Sequence, residues 1–375
     1  MVTLYPKIVG SLALLLLPMA VLAENALHMP LASKSLLLDI VIAENRLVVV
    51  GERGHILLSD DAGNSWRQAH VPTRQMLTAV HFSSPSLGWA VGHDGMILAT
   101  VDAGENWAVQ RNGLQAQRQL NQSAYEALRR EQTQIKQTLL AAQSPQNRQE
   151  LQLQLEDLEL DLEDAELVLH EEVHAPPLLD VYFSSDSSGI AVGAFNTLLL
   201  TDDGGASWQH ASSRLNNPEE YHLNGIAGDA QGNYWIAGEG GVLFRSNNFG
   251  ASWQKLPSPY AGSWFGVDLS PRSARLLIFG LRGNVYHSDD AGDSWERSKV
   301  SSNRSIAGGG FFGERHVMLV GSVGTFLVSE DDGNSFNSRS LGPRVNLSAV
   351  AFAGGHTIAV GQSGVRTAQG IGEEL

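Results

Sequence analysis

The amino-acid sequence predicts an all-β fold: a seven-bladed β-propeller of four-stranded antiparallel blades, with an inserted antiparallel α-helical coiled-coil hairpin. The first observation is a repeated phrase, [Ser/Thr]-x-Asp-x-Gly-x-x-Trp, at residues 59–66, 100–107, 201–208, 246–253, 288–295 and 329–336, with Asn248 for the aspartate of the fourth copy and Phe336 for the tryptophan of the last. The closing aromatic residues lie 41, 101, 45, 42 and 41 residues apart. A regular period of this size is typical of repeat folds such as propellers. The second observation is the interval of 101 residues, which holds one ordinary period and about 60 residues of different composition.

Each repeat unit has the same order of short apolar runs. In the second unit, runs at residues 77–82, 88–92 and 93–100 precede the Asp-containing turn, and a further run follows Trp107. Period-2 alternation between glycine-containing turns predicts a four-stranded antiparallel meander. The other complete units are expected at residues 38–71, 178–212, 223–256, 265–300 and 306–339.

A seventh unit begins at residue 347 and reaches residue 361, but no Asp-containing turn follows it. We expect residues 26–33, which precede the first strand, to supply its missing outer strand and so to close the ring. Closure removes exposed sheet edges, which would otherwise pair with other chains.

The first 23 residues resemble a secretory signal peptide. Lys7 precedes an apolar run over residues 8–22, and Val21 and Ala23 stand at the −3 and −1 positions of a cleavage site. An uncleaved anchor is the alternative, although the run is short for a membrane span. We expect an exported chain, located in the periplasm or, in a photosynthetic organism, in the thylakoid lumen. Its expected division is 1–23 signal peptide, 24–113 closing strand and blades 1 and 2, 114–172 hairpin, and 173–375 blades 3 to 7.

Composition limits the chemistry and the partners. The chain has no cysteine, which excludes disulfides and thiolate metal sites, and its 43% hydrophobic content can supply a core. The net charge of −15 argues against nucleic acid and anionic lipid as partners, because both require clustered lysine and arginine. It favours a protein that meets a basic partner.

The Asp-containing turns have a sufficient structural explanation. The carboxylate can accept backbone N–H groups of its own turn, the glycine can take a positive φ, and the tryptophan can bury a large ring. Residues 289–293 resemble the start of a calcium-binding loop, but the glycine and glutamate of an EF-hand loop are absent from their positions. We therefore interpret these turns as structural and expect no metal or cofactor in them.

Repeats of this form resemble the Asp-box, or BNR, family. The longer pattern Phe…Gly-Trp-Ala-Val-Gly-x-x-Gly-x-Ile-Leu-x-Thr-x-Asp-x-Gly-x-x-Trp is most similar to the seven-bladed photosystem II assembly and stability factors and their non-photosynthetic bacterial relatives. The resemblance covers residues 36–113 and 178–370. It implies a non-catalytic, chaperone-like role on an integral-membrane protein complex outside the cytoplasm, with peripheral rather than integral membrane association.

The kind of membrane complex is left open by this resemblance. Photosynthetic members present an arginine-rich face. In this chain only Arg53 and Arg282 are basic among the fourteen tip positions of the turns between the second and third strands of each blade, here called the B–C turns. Non-photosynthetic relatives are similar to accessory proteins of resistance-nodulation-division exporters, so a membrane exporter is the expected partner and a photosystem-like complex the alternative.

Two other classes of function remain as alternatives. Sialidases share the Asp-containing turns, and a propeller glycosidase or lyase would place acidic and arginine residues in the central channel. The sequence shows no Phe-Arg-Ile-Pro motif of sialidases and no Ser-His-Asp arrangement. A carbohydrate- or surface-binding module is the third possibility. The expectation is that the protein is not an enzyme.

Residues 114–172 predict a helical hairpin. Apolar or small residues recur at a spacing of three and four on both sides of a Ser-Pro-Gln-Asn turn at 144–147, which is the pattern of a coiled-coil seam. They lie at positions 125, 128, 135, 139 and 142 and at 151, 155, 158, 162, 165 and 169. Basic residues of the first arm and acidic residues of the second favour antiparallel pairing.

The second arm carries a further apolar stripe. Leu153, Leu160 and Leu167 recur every seven residues on the helix side opposite the seam. A two-helix hairpin cannot bury this stripe internally. It is expected either to pack on the propeller rim or to form a docking surface for another protein.

Strand order places the hairpin on the face of the propeller that displays the B–C turns. The tips of these turns differ from blade to blade within a glycine frame, and such variation is typical of a recognition surface. The candidate binding residues on them are Arg53, His93, Asp94, Phe195, Asn196 and Arg282, in addition to the three leucines of the stripe. The alternative is that most of them are ordinary solvated turns.

One motif resembles a zinc site. Residues 170–174 read His-Glu-x-x-His, the pattern of a zinc protease helix. Pro176 and Pro177 follow at once, and no later ligand is evident. We interpret the match as accidental and expect no catalytic residue in it.

Overall fold

The computed structural model describes residues 25–313, 315–371 and 373–374. The predicted signal peptide lies outside the described residues. The described residues form seven sheets around a ring, as the repeat predicts, and all but one short strand pair are antiparallel. The first two blades contain the strands β1 (Leu37–Ala43), β2 (Arg46–Gly51), β3 (Ile56–Ser59) and β4 (Arg67–Gln68), and β5 (Leu77–Phe82), β6 (Gly88–Gly92), β7 (Ile97–Thr100) and β8 (Ala108–Arg111).

The next three blades follow the helical insertion and repeat the same order of four strands. They contain β9 (Leu178–Phe183), β10 (Gly189–Gly193), β11 (Leu198–Thr201) and β12 (Gln209–His210); β13 (Leu223–Gly228), β14 (Tyr234–Gly238), β15 (Leu243–Ser246) and β16 (Gln254–Lys255); and β17 (Trp264–Leu269), β18 (Leu276–Gly280), β19 (Val285–Ser288) and β20 (Glu296–Arg297).

The last two blades depart from four strands in opposite directions. The sixth sheet adds two short strands to its four, and the seventh sheet has three. Their strands are β21 (Lys299–Val300), β22 (Ile306–Phe312), β23 (His316–Gly321), β24 (Phe326–Ser329) and β25 (Ser335–Ser340), then β26 (Leu347–Ala353), β27 (His356–Gly361), β28 (Arg366–Gln369) and β29 (Glu373–Glu374). Strand β21 pairs in parallel with β25, and β29 pairs with the same strand in antiparallel orientation.

The second strand of each blade contains a continuous apolar run, because both faces of the sheet are buried there. In β2, Val48 and Val50 pack in a cluster with Leu77 of blade 2, whereas Val49 packs with Ile358 of blade 7. Alternate side chains of one strand therefore enter two different cores. The same packing shows that the ring closes, since blade 1 contacts both its sequence neighbour and the last blade.

The expected closing strand at residues 26–33 does not form. These residues are irregular up to a 3₁₀ turn at Ala32–Lys34, and the seventh sheet keeps three strands within the described residues. Pro30 has no N–H to donate to a ladder. The segment instead donates from Ala26 N–H to Val71 O at 2.9 Å and accepts at Ser33 O from Val365 N–H at 2.9 Å, which links blade 1 to blade 7.

The Asp-containing turns are closed hydrogen-bond networks. In the first turn, the Ser59 hydroxyl donates to Asp61 at 2.8 Å, and Gly63 N–H donates to the Ser59 hydroxyl at 2.8 Å. The Ser65 N–H and hydroxyl both donate to the same carboxylate, at 2.9 and 2.6 Å. These hydrogen bonds, chiefly those of Ser65, lower the pKa of Asp61 to about 2.

The fourth turn makes the same network without a carboxylate. Asn248 stands at the position of the aspartate and accepts from the Ser246 hydroxyl at 2.9 Å and from Ser252 N–H at 3.0 Å. Its amide then donates to the Ser252 hydroxyl at 2.8 Å. The network thus depends on the oxygen acceptor and not on the charge, which agrees with the structural interpretation of these turns.

Two long helices form the insertion, α1 (Gly113–Ala141) and α2 (Pro145–His170), and they pack against each other. Asn112 caps α1 by accepting from Gln115 N–H at 3.1 Å, and Pro145 opens α2 at the position where its missing N–H is harmless. No helix among the described residues has the length and apolar character needed to cross a membrane.

The seam between the helices follows the predicted spacing, and Leu158 and Leu162 are 6% and 7% exposed. One buried seam position is polar: Gln132 is 9% exposed. A polar residue in a coiled-coil seam restricts the register of the pair. Across the two arms, Lys136 and Glu159 approach to 3.8 Å, which agrees with the antiparallel pairing suggested by charge.

Candidate functional site

Most of the B–C turns share one backbone geometry. Five of the seven are tight turns framed by an extended glycine and a glycine of positive φ, with a middle residue in the left-handed region. In the third turn Asn196 replaces the second glycine, and in the seventh turn the middle residue is not left-handed. The non-glycine residues of positive φ in these turns are Arg53 (φ 58°), Asp94 (φ 55°), Phe195 (φ 52°), Asn196 (φ 57°), Arg282 (φ 59°) and Val323 (φ 57°). Such residues cost about 1–2 kcal/mol of backbone strain each, apart from asparagine and aspartate, which tolerate the region better.

Four of the candidate tip residues are exposed: Arg53, His93, Phe195 and Arg282. Phe195 exposes 62% of its surface, which is unusual for a phenylalanine. Its ring lies 4.8 Å from that of His222 on the neighbouring blade, and His222 Nδ1 lies 3.9 Å from Glu239 of the next B–C turn. Blades 3 and 4 therefore present one joined surface at this point.

The other two candidates have structural partners. Asp94 accepts from the Gln75 side-chain amide at 2.5 Å, and Asn196 accepts from that of Asn217 at 3.0 Å. Both side chains therefore hold the turn to the segment that enters its blade or the next one. The structure brings the six turn residues to one face but distributes them over four blades.

The helical hairpin begins on the same face. Gly113 packs directly on the Asp94–Gly95 backbone, where a Cβ would collide with the Asp94 carbonyl oxygen. Arg111 donates to the Gly95 carbonyl at 2.6 Å, and burial lowers the pKa of this arginine. The base of the hairpin is thus fixed to the second B–C turn.

A basic depression of about 270 Å³ lies on this face at blade 6. Arg304 and Arg344 line it together with Val323 of the B–C turn, Ser302 and Thr325. The sequence interpretation missed these two arginines because they belong to the connections between blades and not to the turn tips. The face is therefore basic at blades 5 to 7 and carries the acidic hairpin at blades 2 and 3.

The leucine stripe of α2 does not pack on the propeller rim. Leu153, Leu160 and Leu167 are 56%, 63% and 62% exposed, which excludes one of the two expectations for them. They stand on the opposite side of α2 from the buried seam.

The central channel is where a propeller enzyme would hold its active site. Asp39 and Asp180 line a space of about 200 Å³ there, together with small and apolar residues. No arginine or lysine of the described residues lines this space, so the acidic–arginine cluster expected of a propeller glycosidase is not found in it.

These two carboxylates, and that of Asp268 in blade 5, instead bridge neighbouring blades. Asp39 accepts from Val80 N–H, Asp180 from Ile226 N–H and Asp268 from Phe311 N–H, at 2.9, 2.9 and 2.7 Å, each across to the next blade. Burial raises the pKa of all three, to about 7 for Asp180 and about 6 for Asp268. These hydrogen bonds between blades were not predicted from the sequence, because a single aspartate within a strand belongs to no recognisable motif.

The His-Glu-x-x-His match is not placed on a helix. Helix α2 ends at His170, and Glu171 already has an extended conformation with ψ 162°. The spacing that would direct two histidines to one helical face is therefore lost before His174. Among the described residues, no group of three or more histidine, aspartate or glutamate side chains could hold a metal ion.

Comparison with known proteins agrees with the propeller architecture. A family profile described as "Photosynthesis system II assembly factor YCF48" matches residues 58–127 and 166–308, more than half of the 375 residues. The chain belongs to this family. The match omits residues 128–165, which are most of the helical hairpin.

Curated relatives and solved structures agree with this assignment. The chain is 30% identical over 166 residues to the photosystem II assembly lipoprotein Ycf48 of Synechococcus sp. strain CC9902, covering 44% of this chain and 49% of that protein. It is 24% identical over 223 residues to the chloroplastic photosystem II stability/assembly factor HCF136 of Arabidopsis thaliana, covering 52% of this chain and 55% of that protein. The chain spans about half the length of these two relatives.

Two solved structures share the fold over almost the whole chain. One is described as "YCF48 bound to D1 peptide", with a TM-score of 0.59 and 15% identity over 92% of this chain and 96% of that one. The other is YCF48 from Cyanidioschyzon merolae, with a TM-score of 0.60 and 16% identity over 93% of this chain and 99% of that one. At these identities the likeness shows the fold.

Proposed function

We propose that this protein is a non-catalytic, exported assembly or accessory factor for an integral-membrane protein complex, which it binds through the B–C turn face of the propeller. One observation carries the proposal: three features lie together on the B–C turn face. They are the turn tips that differ between blades, the basic depression and the base of the hairpin. On the opposite face, the Asp-containing turns bond to their own hydroxyl and backbone groups. Family membership supports an assembly role, since the curated relatives are named photosystem II assembly or stability factors.

The mode of binding is the capture of a polypeptide segment of the partner. A family member is described as bound to a D1 peptide, and the B–C face of this chain offers matching chemistry for a peptide. Phe195 provides an exposed aromatic anchor, while Arg282, Arg304 and Arg344 provide positive charge. Exposed aromatic and arginine side chains are enriched among residues that dominate binding energy.

A membrane exporter is the proposed partner, in preference to a photosystem-like complex. Two features separate this chain from the family pattern: only two of its B–C tips are basic, and the hairpin interrupts the family match at residues 128–165. A changed partner accounts for both. Location in the periplasm and peripheral association with the membrane follow from this partner.

Photo-crosslinking in cells of the source organism tests the proposal. A photoreactive residue is placed at Phe195 or at Arg282, and the matched control is Asn64, an exposed residue of the first Asp-containing turn. We expect subunits of one integral-membrane complex to be crosslinked from the first two positions and not from the control. Mass spectrometry of the product identifies the complex as an exporter or a photosystem.

Two results would contradict the proposal. Equal crosslinking from both faces would remove the B–C face as the binding side. Recovery of soluble proteins or glycans, without membrane subunits, would favour the binding-module alternative.

A further inference from the structure

The outer side of α2 has an amphipathic pattern of its own. Leu153, Leu160 and Leu167 stand at one heptad position, facing away from the seam formed by Leu158 and Leu162. The three leucines are each more than half exposed. From Leu153 to Leu167 the row of exposed leucines is about 21 Å long, because a helix rises 1.5 Å per residue.

Carboxylates occupy the positions beside the leucines on the same side of the helix. Helical spacing of three and four places them between successive leucines, and all are exposed: Glu156, Asp157, Glu163 and Asp164. From residue 149 to residue 169 the helix contains eight acidic residues and no lysine or arginine. The outer side of α2 is therefore a leucine row bordered by negative charge.

We infer that this outer side of α2 is a docking surface for a basic amphipathic helix of a partner protein. The partner helix lies along α2, its own apolar residues packing on the three leucines. Its lysine or arginine side chains reach the bordering carboxylates, as charged residues flanking a coiled-coil seam do. The inference adds a second surface to the one on the propeller and depends on the hairpin alone.

Charge decides against the other occupants of this surface. A second copy of the chain would bring α2 against α2, placing eight carboxylates opposite eight, and like charges across a helix pair are unfavourable. The outer side of α1 offers no leucine row in exchange, since Arg130, Thr133 and Gln137 lie there. An anionic membrane surface is disfavoured by the same negative charge.

A binding measurement with a designed probe tests the inference on the full chain. The probe is a synthetic helical peptide of three heptads with leucine in one row and lysine beside it. A scrambled peptide of equal composition and charge is its control. We expect the ordered peptide to bind at least about tenfold more tightly than the scrambled one, because the row and not the charge alone is recognised.

A triple variant, Leu153→Ser with Leu160→Ser and Leu167→Ser, removes the row. It is expected to abolish the difference between the two peptides while circular dichroism shows unchanged helix content, since the seam is untouched. The matched control is Leu140→Ser, which alters an exposed leucine of α1 and should leave the difference intact. Equal binding of ordered and scrambled peptides by the native chain would overturn the inference.

A photoreactive residue at position 160 tests it in cells. The expected product joins this position to a helical, lysine- or arginine-rich segment of another protein, and the crosslinked peptide identifies that segment. Crosslinks to a second copy, to the same chain, to lipid or to an acidic segment, or the absence of any product, would each overturn the inference. Crosslinks from Phe195 and Arg282 are read separately, so the inference can fail while the proposed function stands.

Discussion

The two faces of the propeller both carry turns that recur from blade to blade, but different parts of the turn recur on each face. In the Asp-containing turns, the side chains that recur are the ones that bond, as Ser59, Asp61 and Ser65 do within one turn. In the B–C turns, the recurring residues are glycines that set the backbone, and the side chains between them differ. Repetition of side chains thus marks internal bonding, whereas repetition of the backbone frame alone leaves the tips available for recognition.

The largest expected effect on stability comes from replacing an aromatic residue of the Asp-containing turns. Trp107 is 5% exposed, and its indole N–H donates to the Gly104 carbonyl at 2.9 Å. Trp107→Ala should lower the free energy of unfolding by about 3–5 kcal/mol, because it leaves a cavity in a closed core. Urea unfolding followed by circular dichroism measures the loss. A loss below about 1 kcal/mol would show that the ring is not a core element.

A second, smaller effect tests whether the turn needs its charge. Asp331 accepts from the Ser329 hydroxyl and from Ser335 N–H, both at 2.8 Å. Asp331→Ala should cost about 1–2 kcal/mol, in the range of a lost helix cap. Asp331→Asn should cost less than half as much, because Asn248 makes the same network in the fourth turn. Equal losses in the two variants would assign the stabilisation to the charge.

The buried carboxylate of Asp180 makes the stability of the ring depend on pH between the ordinary pKa of 3.8 and about 7. The folded protein holds a proton on Asp180 up to a pKa of about 7, whereas the ordinary value is 3.8. The folded state therefore binds more protons in this interval, and stability is lost as the pH rises through it. The stability of the native chain relative to Asp180→Asn should accordingly be greater at pH 5 than at pH 8.

Comparison of these two proteins cancels opposing contributions. Burial lowers the pKa of His81 to about 4, and this residue favours folding at higher pH in both. The lowered pKa of Asp203, about 2, acts only in acid below the interval. Unfolding midpoints in urea at the two pH values give the measurement. A pH-independent difference would show that Asp180 is ionised throughout.

The smallest expected effect on stability comes from the tip of the third B–C turn. Phe195→Ala should change the free energy of unfolding by no more than about 0.5 kcal/mol, because the ring is mostly in solvent. It should nevertheless reduce the yield of crosslinks from Arg282 to the membrane partner. A large stability loss without a change in crosslinking would place Phe195 with Trp107 as a core residue and would erase the contrast between the faces.

The sequence was sufficient for the ring and the hairpin because both depend on local periodicity. The Asp-containing turns recur with the blade, and the hairpin seam recurs with the heptad, so each is visible in one chain. Gln132 was missed because a seam predicted from apolar residues skips a polar one. The prediction of a strand at residues 26–33 was wrong. This segment is held by isolated hydrogen bonds, which leave no pattern of alternating apolar and polar residues in the sequence.

The candidate site was less accessible to prediction because its parts come from distant positions. Arg304 and Arg344 reach the B–C face from the connections between blades, and the sequence alone does not show which connection borders which turn. His222 meets Phe195 across a blade boundary for the same reason. Turn tips could be named from the repeat, while their neighbours required the three-dimensional arrangement.

The narrow attachment of the hairpin has a mechanical consequence. Helix α1 has 29 residues and is joined to the ring where Gly113 rests on the Asp94–Gly95 backbone, with Arg111 bonded beside it. An arm of this length is a lever about 43 Å long, so a tilt of about 10° at its base carries the tip through about 7 Å. The few residues at the base therefore determine the direction of the whole hairpin. Small structural changes there would move a partner bound near its tip.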